Sequence, residues 1–227
     1  MGKIALLRRN WLLILIAFLT IGIIAFAFIW EAMGTVEMPQ QKSDGVDIHR
    51  SAVQELLNEL EWVTIDFLPV NEYSRPGERL RRVDTIVIHN IGNPGTSAQQ
   101  NRNWFSDLSE TGETYASSNF IIGLEGEIIQ CVPVDEIAYA SNQRNDDTLS
   151  IEVCHPDDTG QFGYATYEST VRLTAWLCGQ YKIRANELLR HYDVSGKECP
   201  RYYVINEGAW ELFKLDVAAA MTDDTTT

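Results

Sequence analysis

Apolar and polar positions along the chain fall into short segments with the spacing of helices or of strands. Helical spacing recurs in residues 51–61, 97–108, 167–183 and 210–220. Short apolar or β-branched runs occupy residues 85–89, 120–124, 128–132 and 149–154. The two middle runs are joined by a Glu-Gly turn and predict a hairpin. Because helices and strands alternate, the sequence predicts an α/β fold with a central mixed β-sheet flanked by helices.

The helix over residues 97–108 carries clear local signals. Ser97 or Thr96 can accept hydrogen bonds from the free backbone N–H groups of the first turn and so cap the helix. Trp104 and Phe105 are expected to face inward from it.

The N-terminal part differs in character from the rest of the chain. Three basic residues precede an uncharged run, residues 11–30, that begins and ends with tryptophan. A helix of this length spans a bilayer core, so the run is expected to be a single transmembrane signal anchor. Residues 1–10 would then be cytoplasmic, and the chain after Trp30 would lie outside the cell membrane. The alternative is a cleaved signal peptide, since Ala25 and Ala27 form an A-x-A pattern.

Residues 31–62 are expected to be an extracytoplasmic stalk. They begin as a polar stretch without hydrophobic periodicity, as is typical of a tether. A short amphipathic helix over residues 51–61 follows, with Ser51 as its cap. This helix can pack either on the following domain or on the stalk.

The chain is strongly acidic, with a formal net charge of -14. This balance argues against nucleic acid as a partner and against attraction to anionic lipid. Attachment to a membrane is therefore expected to come from the N-terminal helix alone. An acidic surface can equally serve only solubility.

Three of the four cysteines lie in apolar stretches and one lies in a polar loop. Cys131, Cys154 and Cys178 are expected to be small buried hydrophobic residues, although full oxidation of the four would allow three pairings. Cys199 stands eight residues after His191 in the loop RHYDVSGKECPRYY.

His191, Cys199 and His89, at the end of a predicted strand, make a chemically sufficient set for catalytic zinc. Such zinc takes three protein ligands and keeps one position open. The rival interpretation gives each residue a structural or incidental role, because no paired CxxC motif supports the spacing.

Glu152 stands in an otherwise apolar strand, where an unpaired carboxylate is costly. Its position therefore suggests a role beyond packing. His155 follows the same strand, but the adjacent Pro156 and Asp157 indicate a turn at the strand exit.

Five motifs, in order, carry a family resemblance. They are VIHN with its strand, NPG followed by a helix, SSNFIIGLEGEIIQCVP, DTLSIEVCHPD and RHYDVSGKECPR. The chain resembles the zinc-dependent N-acetylmuramoyl-L-alanine amidases of type 2, related to T7 lysozyme and the peptidoglycan recognition proteins. The resemblance covers residues 63–205, the expected amidase domain. Residues 206–227 would then form a C-terminal helix and a disordered tail.

The resemblance implies roles for individual residues. The zinc ligands correspond to His89, His191 and Cys199. Glu152 corresponds to the acidic residue at the catalytic centre, and Lys197 to a lysine two residues before the cysteine ligand. Zinc would supply a Lewis acid and an activated water, Glu152 would transfer protons, and Lys197 would stabilise the oxyanion.

The family tyrosine before the SSNF asparagine is missing, because Ser118 stands at that position. We do not transfer its role to Tyr115. Asp193 is a candidate to orient a ligand imidazole. Three asparagines, Asn90, Asn93 and Asn119, can line a groove for glycan or peptide, although turn and backbone roles suit them equally.

The implied activity is hydrolysis of the amide between N-acetylmuramic acid and L-alanine in peptidoglycan, with the glycan strand and stem peptide as partner. Two alternatives are a peptidoglycan-binding or sensing module without catalysis and an interaction protein that uses the fold as a scaffold. Such binding modules often lack the cysteine ligand, so Cys199 and Glu152 favour the enzyme.

Overall fold

The apolar runs of the sequence form the strands of one sheet. The computed structural model describes residues 43–223, and the strands in that part are β1 (Thr64–Ile65), β2 (Thr85–Asn90), β3 (Phe120–Ile122), β4 (Ile128–Gln130), β5 (Thr148–Val153) and β6 (Leu189–Arg190). They lie in the order β1-β4-β3-β5-β2-β6. Neighbouring strands are parallel except for the antiparallel hairpin of β3 and β4. This arrangement fits the predicted mixed sheet.

Helices cover both faces of the sheet. Those described are α1 (Ser43–Asn58), α2 (Ala98–Thr111), α3 (Tyr164–Tyr181), α4 (His191–Ser195), α5 (Arg201–Ile205) and α6 (Glu207–Asp223), with short 3-10 helices at Asn142–Arg144 and Ala185–Glu187. The polar loop that carries His191 and Cys199 thus contains α4 and leads into α5.

Helix α2 begins as its sequence predicts. Ser97 is the cap: its side chain accepts from the backbone of Gln100, and the Gln100 side chain accepts from the Ser97 backbone. Phe105 is buried, as expected, but Trp104 is 44% exposed. Since adjacent helical residues point about 100° apart, one of the pair faces the sheet and the other faces solvent.

Two hydrophobic clusters lie on opposite faces of the sheet. Alternate residues of β2 and β5, such as Ile88 and Ile151, point into the larger cluster with α1, α3 and α6. The smaller cluster contains Phe105 and Leu108 of α2, packed on residues such as Ile121. Side chains along a strand alternate between the two faces of the sheet. Every second residue of β2 and β5 therefore packs in the larger cluster, and the residues between them project from the opposite face.

Helix α1 is part of the larger cluster and begins at Ser43, earlier than the predicted Ser51. Arg50, in the added segment, is buried and donates a hydrogen bond to the Leu80 carbonyl oxygen. This contact joins residues thirty positions apart in the chain, so local periodicity gives no sign of it. The helix packs on the domain, one of the two options that the sequence left open.

The predicted transmembrane helix requires correction. Across residues 43–223, no helix combines the length and the apolar character needed to cross a bilayer. Even α3, with 18 residues, presents Glu168 and Arg172 on one side. This finding contradicts three predictions: a fold with a spanning helix, the membrane as a partner and a single-pass location in the cell membrane. The segment 11–30 itself lies outside the described residues.

We expect α1 to stabilise the domain through Leu57, which is fully buried in the larger cluster. Replacing Leu57 by alanine removes buried methyl groups and leaves a cavity, so the free energy of unfolding should fall by about 3 kcal/mol. Urea denaturation of the purified protein measures this change.

Leu56 is the matched control, since this neighbouring leucine is 43% exposed. Leu56→Ala should change the unfolding free energy by less than about 0.5 kcal/mol. Equal effects of the two substitutions would contradict the packing of α1 on the domain.

Candidate metal centre and catalytic groove

Three parallel strand ends bring the candidate residues together. In the pairing of β2 with β5, His89 stands directly opposite Glu152. In the pairing of β2 with β6, Ile88 stands opposite Arg190, so His191 follows at the same end of the sheet. Residues that pair in a sheet project from the same face, and His89 and Glu152 therefore share the face that the larger cluster does not use.

The potential donor atoms of His89, His191 and Cys199 surround one point. One side-chain atom of each lies within 4.8 Å of the others, and all three residues are buried. The two imidazole Nδ1 atoms are 3.1 Å apart. Within the described part of the chain, this is the group of histidine, cysteine and carboxylate side chains that can hold a metal ion.

The loop before β5 contacts the outer nitrogen of each histidine. His191 Nε2 lies 2.6 Å from Asn142 Oδ1, and His89 Nε2 lies 3.4 Å from Ser141 Oγ. The two Nδ1 atoms face each other at the common point, so they are the ring nitrogens placed to bind a cation there.

Cys199 is positioned by Asn90. The Asn90 backbone N–H donates to Cys199 Sγ at 3.3 Å, and the Asn90 side-chain oxygen accepts from the Arg201 backbone N–H at 2.7 Å. These two hydrogen bonds hold the segment on both sides of Pro200 against the end of β2. Asn90, proposed from the sequence as a substrate contact, lines the groove and also has this structural role.

Glu152 extends beside His89. Its Oε1 lies 3.9 Å from His89 Nδ1, and its Oε2 is buried without a hydrogen-bond partner in the described structure. Removal from water raises the pKa of this carboxyl to about 7, against the opposing effect of the Lys197 charge. A buried carboxyl oxygen without a partner is uncommon in a structural role.

Burial keeps the three donor groups in their neutral forms. Desolvation lowers the pKa of His89 well below its usual value, with further lowering by His191 and Lys197. Desolvation and the Lys197 charge lower the pKa of His191 to about 4. Burial and the Glu152 charge raise the pKa of Cys199 to about 12. Both imidazoles are therefore unprotonated at one nitrogen near pH 7, as metal ligands must be.

The donor set opens into a groove of about 1020 Å³. Its wall includes aromatic residues such as Trp104 and Tyr115, and polar ones such as Asn93 and Lys197. Lys197 is exposed, and its charge acts on the pKa of each donor and of Glu152. The groove thus offers apolar contact, hydrogen bonding and the Lys197 cation beside the donor set.

Two of the residues proposed from the sequence lie elsewhere. Asn119 is fully buried in the sheet, where its amide donates to the Pro133 carbonyl and accepts from Ser150, so it does not line the groove. Asp193 accepts hydrogen bonds from the backbone and guanidinium of Arg190, which gives it a role in starting α4 instead of contacting an imidazole.

His155 also lies away from the donor set. It is buried at the exit of β5, and its ring nitrogens contact the carbonyl oxygens of Ile91 and Asp157. His155 therefore lies in the strand-exit turn that the sequence indicated.

Sequence reasoning missed Ser141 and Asn142. They lie in the polar stretch SNQRNDDT, whose composition is typical of a turn and gives no sign of contact with histidines. Only the folded loop brings them to His89 and His191, from positions 52 and 49 residues away in the chain.

Solved structures share this fold. The catalytic domain of XlyA, an amidase of Bacillus subtilis (strain 168), superposes with a TM-score of 0.58 and 26% identity, covering 68% of this chain and 98% of that one. PlyL gives a TM-score of 0.60 at 21% identity over 70% of this chain and 98% of its own, a likeness of fold alone.

Curated relatives are similar in sequence. A probable N-acetylmuramoyl-L-alanine amidase of Bacillus licheniformis is 32% identical over 66% of this chain and 45% of its own length. The N-acetylmuramoyl-L-alanine amidase BlyA of Bacillus subtilis (strain 168) is 31% identical over 70% of this chain and 47% of its own length. The chain spans about half the length of these relatives.

The model of one protein family matches residues 79–202, which run from the loop before β2 to the start of α5 and include every donor residue described above. That family is described as N-acetylmuramoyl-L-alanine amidase. Since the match covers more than half of the chain and agrees with the relatives and the fold, the chain belongs to the N-acetylmuramoyl-L-alanine amidase family.

Proposed function

We propose that this protein is a zinc-dependent amidase that hydrolyses the amide between N-acetylmuramic acid and L-alanine in peptidoglycan. The observation that carries the proposal is the convergence of His89, His191 and Cys199 on one buried point beside Glu152. Membership of the amidase family and the names of the relatives support the substrate. The groove supports it too, because it is large enough to take part of a glycan strand with its stem peptide.

The residues fit zinc by their chemistry. Two imidazole nitrogens and one thiol sulfur are ligands that zinc prefers, and three protein ligands are the usual number at catalytic sites. The neutral histidines need lose no proton, and the buried thiol needs a nearby cation to become a thiolate. When bound, zinc would polarise the amide carbonyl and lower the pKa of water to about 7.

Glu152 is proposed as the residue that moves protons. Its buried, unpartnered oxygen lies on the sheet face shared with His89, where an attacking water would stand. A carboxylate there can accept a proton from the water and deliver it to the leaving nitrogen of L-alanine. The absence of the family tyrosine is consistent with Glu152 acting alone, since Ser118 is buried and donates to the Ser150 carbonyl.

Lys197 is proposed to stabilise negative charge on the carbonyl oxygen. The lysine is exposed at the groove, and its charge acts on Glu152 and on the donors. A cation fixed near a developing oxyanion favours the transition state over the neutral amide. Asn93, also exposed at the groove, is proposed as a substrate contact.

Glu152→Gln tests the enzyme against a binding module. We expect the purified protein to release new L-alanine amino termini from peptidoglycan, and the variant to do so about 100-fold to 10,000-fold more slowly. The amide is close in size and cannot accept the proton, so zinc content should remain that of the wild type. Wild-type protein that holds zinc and binds peptidoglycan without releasing amino groups would instead indicate a binding module.

Cys199→Ser tests the metal site. Because serine is a poor substitute for a thiolate ligand, zinc affinity measured by competition with a chelator should fall by more than about 100-fold. Cys178→Ala is the control, since Cys178 is buried in the larger cluster away from the groove, and its zinc affinity should match the wild type. Unchanged affinity in Cys199→Ser would exclude this sulfur as a ligand.

Lys197→Met tests the stabilisation of the oxyanion. Methionine keeps most of the length of the chain but removes the charge, so kcat should fall by about 100-fold while KM changes little. Lys214→Met, on α6, provides a control in which a lysine charge is lost away from the groove. A rise in KM without loss of kcat would assign Lys197 to substrate binding.

A further inference from the structure

We infer that Asn142 is a positioning residue, which holds His191 with its proton on Nε2 and its Nδ1 lone pair directed at the donor point. The inference rests on the proposed zinc site for its functional meaning, but the contact that carries it exists without any metal. Asn142 Oδ1 and His191 Nε2 are 2.6 Å apart, which is the distance of a strong hydrogen bond.

The chemistry of the two atoms decides the tautomer. A carbonyl oxygen of an amide can only accept, so the imidazole must donate, and its proton must be on Nε2. A neutral imidazole carries one N–H, and Nδ1 is then left with a free lone pair. If the Asn142 amide were turned, its NH₂ group would donate to Nε2 and leave the proton on Nδ1, where it would block the donor point.

The backbone of Asn142 has an uncommon conformation. Its φ angle is 52°, in the left-handed region that residues with a side chain rarely adopt. Lys182, the other residue of this kind in the part described, ends helix α3. Asn142 instead begins the short helix Asn142–Arg144. Asparagine adopts this region more readily than most residues, so its backbone suits the turn that presents its side chain to His191.

The loop around Asn142 is fixed from two sides. The Asn145 side-chain oxygen accepts from the backbone N–H groups of Ala140 and Ser141, closing the loop on itself. The Gln143 side chain donates to the Val194 carbonyl oxygen of α4. His191 and Val194 both belong to α4. The loop therefore contacts this helix at two points, through Asn142 and through Gln143.

The test uses three variants of the full chain. Asn142→Gly permits the left-handed backbone but removes the acceptor. Asn142→Asp keeps an acceptor oxygen in a residue that also tolerates this backbone. Gln143→Ala removes the neighbouring connection to α4 and leaves the contact with His191 intact.

The first measurement is the tautomer of His191 in metal-free protein, from ¹H–¹⁵N spectra of the imidazole. We expect protonated Nε2 in the wild type, Asn142→Asp and Gln143→Ala, and a mixture of tautomers in Asn142→Gly. The second is zinc affinity, which should fall by about 10-fold to 100-fold in Asn142→Gly alone, because a ligand without its orienting partner must be ordered by the metal.

Two results would overturn the inference: a proton on Nδ1 in the wild type, or a Gly variant that keeps both the tautomer and the zinc affinity. Failure of the wild type to bind zinc would instead count against the proposed function, and the tautomer measurement would still decide the role of Asn142. Equal losses in Gln143→Ala and Asn142→Gly would show a general loosening of the loop and would also contradict the inference.

Discussion

The parallel register of β2 with β5 is the constraint on which the rest of the site depends. Ile88 pairs with Ile151 on the face of the larger cluster, and the next pair in the ladder, His89 with Glu152, projects from the opposite face. A slip of one residue would turn the apolar side chains of one strand out of the core. The protein would then lose the stabilisation that several buried side chains provide. Hydrophobic burial on one face therefore fixes the position of His89 relative to Glu152 on the other.

That second face holds polar groups that burial disfavours in their charged forms. The pKa of Glu152 is raised, that of His191 lowered and that of Cys199 raised, and loss of water is the first cause in each case. Ionising these buried groups without a partner is unfavourable, because they have lost their contact with water. A bound cation would offset that loss, so a site of neutral donors is suited to receiving one. The exposed Lys197 charge opposes the effect of burial on the pKa of Glu152 and Cys199, but it reinforces the effect of burial on the two histidines.

Much of the fold could be predicted from the sequence, because strands, caps and turns depend on near neighbours. Ser97 caps its helix through a contact three residues away, for example. The ligand chemistry and the order of the motifs pointed to His89, His191 and Cys199, which the fold brings together. What could not be predicted depends on contacts between distant residues. Asn119 is buried through hydrogen bonds to Pro133 and Ser150, which are 14 and 31 residues away. Asp193 binds Arg190 only three residues away, but Arg190 is itself placed by its pairing with Ile88 of β2. The membrane span rested on length and composition alone, and the described helices give it no support.

The loop that carries His191 and Cys199 is as well positioned as the strands, although little of it is regular. Arg190 pairs with Ile88 of β2, and its buried guanidinium also binds Asp193, Glu207 and the Tyr203 carbonyl. At the other end, Asn90 of β2 holds Cys199 and Arg201. Both ends of the loop are thus attached to the strand that contains His89. Contacts with this one strand therefore place His191 and Cys199 relative to His89.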